Sequence, residues 1–126
     1  MSINYRFATE ESLGSTFTSD PCPIHSANHV SISAIVSGAS SPVGTFTLEC
    51  SNDKTGPVSS AYRSSDQALT PGNFVTIDGS SEAISGNGTT IWNLQNVGFN
   101  WVRLVYTRTS GSATLDADIT LKTIKG

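Results

Sequence analysis

Trp101-Val-Arg-Leu-Val-Tyr-Thr-Arg-Thr-Ser-Gly-Ser-Ala-Thr-Leu-Asp-Ala-Asp-Ile-Thr-Leu-Lys122 is the stretch whose reading decides the fold. In its first part Val102, Leu104 and Tyr106 alternate with Trp101, Arg103 and Val105. In its second part Leu115, Ala117, Ile119 and Leu121 alternate with Asp116, Asp118, Thr120 and Lys122. A side-chain period of two is that of a strand with one face buried and one wet. Ser110-Gly111-Ser112 between them reads as a turn, so the stretch predicts a hairpin with a polar outer edge.

The same alternation recurs towards the amino terminus. Val30, Ile32, Ala34 and Val36 form one run, and Phe46, Leu48 and Cys50 another, separated by Gly38-Ala39-Ser40-Ser41-Pro42. These two runs predict a second hairpin. Ile3, Tyr5 and Phe7 alternate with Asn4 and Arg6, giving an amino-terminal strand or an extended arm over residues 1–12. Weaker strands are expected around 15–18, at Phe74-Val75-Thr76-Ile77 and over Thr89–Leu94, and Ser85-Gly86-Asn87-Gly88 reads as the strongest local turn. Asp20-Pro21-Cys22-Pro23 punctuates the chain, and residues 52–72 read mainly as a long connection. No stretch carries a helical stripe. The expectation is an all-β, antiparallel two-sheet sandwich, jelly-roll-like, of about seven to eight strands in a single domain over residues 1–126.

Composition narrows the function classes. Only 13% of the 126 residues are charged, about half the usual share of ~25%, while 20 serines and 15 threonines make the surface polar without charge. Seven Lys and Arg, scattered singly under a net charge of −3, leave no basic stripe for nucleic acid. No apolar run approaches the ~20 residues that span a bilayer. Met1-Ser-Ile-Asn-Tyr-Arg6 lacks the apolar segment of a secretory signal, so we expect synthesis in a cytoplasm, a soluble protein and two reduced cysteines, Cys22 and Cys50.

Chemistry-bearing residues are sparse. Cys22, His25 and His29, with Cys50 nearby, raise zinc, but Cys-x2-His-x3-His is not the paired spacing of a structural zinc site. Asp116 and Asp118 share a strand face roughly 7 Å apart, within the range of a glycosidase pair, but their alternation with Leu115, Ala117 and Ile119 reads them as a solvated outer face. Asn52-Asp53-Lys54 and Glu82 read as turn formers or lattice contacts, without the dense acids of a calcium loop. No Gly-x-Ser-x-Gly elbow accompanies the two histidines. Asn87-Gly-Thr matches a glycosylation acceptor, but the turn explains it. Trp92 and Trp101 would stack on sugars if exposed, and fill the core if not. No enzyme activity, cofactor or metal is expected.

Phe46-Thr-Leu-Glu-Cys-Ser-Asn-Asp53, Phe74-Val-Thr-Ile-Asp78, Trp101-Val-Arg-Leu-Val-Tyr-Thr107 and Thr114-Leu-Asp-Ala-Asp-Ile-Thr-Leu-Lys122 together resemble small virion structural proteins of tailed bacteriophages, over about residues 43–124. The resemblance implies a jelly-roll head decoration, or cement, protein on the capsid surface, with the phage major capsid protein as partner and no catalytic residues. It also implies a homo-oligomer, a trimer before a dimer because shell lattices have threefold junctions. Ile3, Tyr5 and Phe7 are the candidate capsid or subunit contacts, pairing with a neighbour's sheet edge or serving as an edge strand of their own domain. The alternatives are a carbohydrate-binding or host-adhesion module of a head or tail fibre, and a neck or tail component.

Overall fold

Two long strands carry the fold because two alternating runs continue through stretches rich in Gly and Ser. The computed structural model describes residues 2–24, 27–53 and 72–124. Within them lie eight strands: β1 (Ser2–Ser12), β2 (Phe17–Thr18), β3 (Cys22–Pro23), β4 (His29–Ser51), β5 (Val75–Thr76), β6 (Glu82–Ile84), β7 (Gly88–Gln95) and β8 (Trp101–Lys122). All pairings are antiparallel, and among the described residues there is no helix.

β4 and β8 pair with each other along nearly their whole length, from His29 opposite Lys122 to Ser51 opposite Trp101. This corrects both expected hairpins. Gly38–Pro42 and Ser110–Ser112 do not reverse the chain; they face one another across the ribbon, with Ser40 opposite Ser112 and Val43 opposite Ser110. Positive φ at Gly38 (58°), Ser41 (48°) and Gly111 (74°) places bulges there. From Ser37 to Gly44 is seven residue steps, facing only six from Thr114 back to Arg108, so the register slips by one. The slip is visible in the burial phase. In β8 the buried positions are Val102, Leu104 and Tyr106 before the bend, and Ala113, Leu115, Ala117, Ile119 and Leu121 after it.

The bend divides one hydrogen-bonded sheet into two halves. In the first, β1 pairs with the second part of β8, which pairs with the first part of β4, which pairs with β7. In the second, β2 and β3 pair with the first part of β8, which pairs with the second part of β4, which pairs with β5 and β6. The all-β antiparallel class stands with eight strands, but as a single continuous sheet and not two separate ones, because β4 and β8 run unbroken from half to half.

The halves share one core. Val30, Ile32, Ala34, Val36, Leu115, Ala117, Ile119 and Leu121 of the first join Phe46, Leu48, Val102, Leu104 and Tyr106 of the second. Trp92 on β7 meets Phe46 edge-on at 6.1 Å between ring centroids, and Phe46 lies 5.1 Å from Tyr106. Each buried Leu, Ile or Phe contributes about 1.5–3 kcal/mol relative to exposure. The Ser85–Gly88 stretch joins the halves: β6 pairs with 44–46 of β4 and β7 with 29–36. It is therefore a crossing, not a hairpin turn, and neither Asn87 nor Gly88 has positive φ.

Candidate functional site

Residues 2–12 are not detached from the fold. β1 lies on β8 with Ile3 opposite Leu121 and Tyr5 opposite Ile119, so both side chains share the face of the core. At the sheet's edge that face is incompletely covered, leaving Ile3 37% and Tyr5 39% exposed. Phe7 falls in a register shift between Arg6 and Ala8 and packs partly against the core. The expected contacts thus occupy an edge strand of their own sheet. Tyr5, Arg6 and Phe7 form one wall of an open cleft of about 270 Å³, and Asp20–Pro23 forms the other.

The outer face of the first half is a grid. Asn4, Thr120, Ser31 and Asn93 form one row across its four strands, and Arg6, Asp118, Ser33 and Ile91 the next. These side chains are exposed or half-buried, because they alternate with the buried ones of the core. Thr120 Oγ1 donates to Asn4 Oδ1 at 2.8 Å. Ile35 and Ile91 stand 42% and 61% exposed on this face. Sequence reasoning noted the alternation but not the rows, since rows depend on which strands are neighbours.

The acid pair is occupied. Arg6 Nε donates to Asp118 Oδ1 at 2.9 Å, Arg6 Nη1 lies 3.6 Å from Asp116 Oδ1, and the backbone N–H of Glu10 donates to Asp116 Oδ1 at 3.0 Å. Glu10 has a φ of 46°, so Asp116 holds the bulge of β1 in place. Arg6 thus lies between the two carboxylates, in a partly exposed cluster of the kind that contributes little to stability.

The thiols stand apart. Cys22 and Cys50 both lie opposite Val102, on either side of it. Two strand spacings, about 9–10 Å, exceed the ~7 Å reach of a disulfide. Both cysteines are free. Burial pushes the Cys22 thiol up to about 12, and raises that of Cys50 as well. His29 Nδ1 contacts Asn28 Oδ1 at 2.8 Å, and His25 lies outside the described residues. Among the described residues no three His, Cys, Asp or Glu come together to hold a metal.

Asp53 is bonded to Gly72 and Asn73. Its carboxylate accepts from Asn73 Nδ2 at 3.0 Å and Gly72 N at 2.6 Å, and these bonds hold its pKa below the ordinary value. Ser51 Oγ donates to Gly72 O at 2.6 Å. Most of the expected connection, residues 54–71 with Lys54, lies outside the described residues. Glu82 is exposed on β6.

The tryptophans are turned inward or engaged. Trp92 is buried and its Nε1 donates to Ser80 O at 2.9 Å. Trp101 is half-buried and its Nε1 donates to Asp53 O at 3.2 Å. Near it Arg103 is paired with Glu49 at 2.6 Å and lies 3.9 Å above the Phe74 ring. Among the described residues no helix is long and apolar enough to cross a membrane.

Comparison with protein-family models, with curated proteins and with solved structures finds no match for this chain.

Proposed function

We propose that this chain is a non-enzymatic virion structural protein, a decoration or cement protein of a tailed-phage capsid that bridges major capsid subunits and stabilises the mature head. The observation that carries the reading is the outer face of the β1-β8-β4-β7 half, a grid in which Asn, Ser and Thr surround the exposed Ile35 and Ile91 and the cluster of Arg6 with Asp116 and Asp118. Short uncharged side chains can be buried against a shell without stranding a charge and with little rotamer entropy to lose.

Strand order supports the same reading. The chain visits the halves as β1, then β2 and β3, then back along β4, with β5 and β6 in one half, β7 in the other, and β8 spanning both. We read that order as jelly-roll-like, an architecture used by capsid and lectin domains. Fold alone does not give function.

Mechanically, four strands about 5 Å apart and about 25 Å long offer on the order of 400 Å². Stable complexes bury about 800 Å² per partner, so one such contact is weak. A homo-oligomer engaging several shell subunits gains avidity of ~10²–10⁴ without new chemistry. Because it binds the intact lattice better than separated subunits, the clamp stabilises that lattice by linkage.

The test is titration of labelled protein on purified expanded phage shells, unexpanded shells and a glycan array. Saturable binding to expanded shells is expected. Saturable binding to neither shell form removes the cement reading, and glycan binding in its place establishes the adhesion module.

A further inference from the structure

The two halves of the sheet have four edges, and three of them are guarded. β1 carries Arg6, Glu10 and Glu11 and two register shifts against β8. The β2 and β3 edge consists of two-residue pieces and includes Pro23, and the β5 and β6 edge is two and three residues long with Glu82 at its start. Charges, bulges, proline and shortness are the devices by which edge strands avoid pairing with other chains.

β7 has none of these. Gly88-Thr-Thr-Ile-Trp-Asn-Leu-Gln95 is eight residues with no charge and no proline, and its register with β4 is unbroken from Gly88 opposite Val36 to Gln95 opposite His29. Among the described residues its other edge pairs with no strand. Ile91, at 61% exposure, stands on its outer face while Trp92 points into the core.

We propose that β7 is a self-association edge, on which a second copy of this chain pairs its own β7 antiparallel about a twofold axis. Neutrality selects this occupant. An uncharged strand meets no like charge in any register when it faces itself, whereas β1, with Arg6, Glu10 and Glu11, avoids like-charge contacts only in some registers. Continuing both core faces on one side of the joined sheet requires odd positions to oppose odd ones. Of such registers, the one that sets Ile91 opposite the second copy's Ile91 pairs the most exposed apolar side chain of the strand with itself. The joined sheet then has eight strands in one outer face, about double the area available to one copy. The inference does not depend on shell binding.

The experiment is the mass of the purified full chain by light scattering on a size-exclusion column, with no shell present. A species of twice 13.2 kDa is expected. Ile91→Lys places a cation on the outer face and leaves the core residues intact; it is expected to raise the dimer dissociation constant by about tenfold or more, with an unchanged circular dichroism spectrum. Val75→Lys, at a comparably exposed position on β5, is expected to leave the dimer intact. A monomeric or trimeric wild type, open-ended aggregation, a dimer indifferent to Ile91→Lys, or equal dissociation by both variants overturns the proposal.

Discussion

Gly44 lies against the ring of Tyr106, and any Cβ at that position would run into it. Gly44→Ala is therefore expected to cost about 1–3 kcal/mol in urea denaturation, the range for overpacking a closed core. The Tyr106 hydroxyl is itself buried without a hydrogen-bond partner among the described residues. Tyr106→Phe removes an unsatisfied polar atom while keeping the ring on Phe46, so the same measurement should find stability unchanged or raised by about 1 kcal/mol. Cys22 supplies a third residue-scale outcome. Its folded pKa, about 12, stands above the ordinary 9.0, so the buried neutral thiol supports folding fully below pH 9 and loses that support as pH rises from there towards 12. Cys22→Ala should flatten that alkaline loss in thermal melts, and in the wild type at pH 8 a thiol reagent should modify Cys50 before Cys22.

Among the elements, the turn at β5 holds its position through Ser80, whose hydroxyl accepts from Leu48 N at 3.0 Å and donates to Ile77 O at 2.7 Å. The neighbouring carboxylate of Asp53 is pH-sensitive in the opposite sense to Cys22. A depressed carboxylate pKa contributes above the ordinary value and is lost as pH falls through the lower folded value. Asp53→Ala is expected to lower the protection factor of the Gly72 amide at pH 7 and to remove the fall in protection that the wild type shows in acid, read by NMR. Strand existence was legible locally: β1, β4, β7 and β8 all carry period-two patterns. Partnership was not. Gly38–Pro42 and Ser110–Ser112 have the composition of turns, and composition cannot distinguish a chain reversal from paired bulges in a ribbon that runs on.

For the molecule as a whole, the register from Ser2 opposite Lys122 to Ser12 opposite Thr114 ties the two ends of the described chain together. β1 covers an edge of β8 whose Leu115, Ala117, Ile119 and Leu121 are core residues. Deleting residues 1–12 should therefore abolish the cooperative unfolding transition seen by circular dichroism. A truncated chain that melts like the full one would make the segment a dispensable arm. The candidate contacts follow the same logic. Ile3 and Tyr5 were identifiable as apolar positions near a terminus, but their exposure results from lying at the margin of a core that ends beside them.

From the sequence alone came the all-β class, the polar uncharged character of the surface and the faces of the long strands, because these depend on residue type and on spacing within one strand. The continuous sheet, the row that separates Cys22 from Cys50, the engagement of Asp116 and Asp118 by Arg6, and the inward turn of Trp92 were decided by tertiary structure. Each depends on which distant strand lies alongside, and that choice is made by burial of the whole apolar set at once.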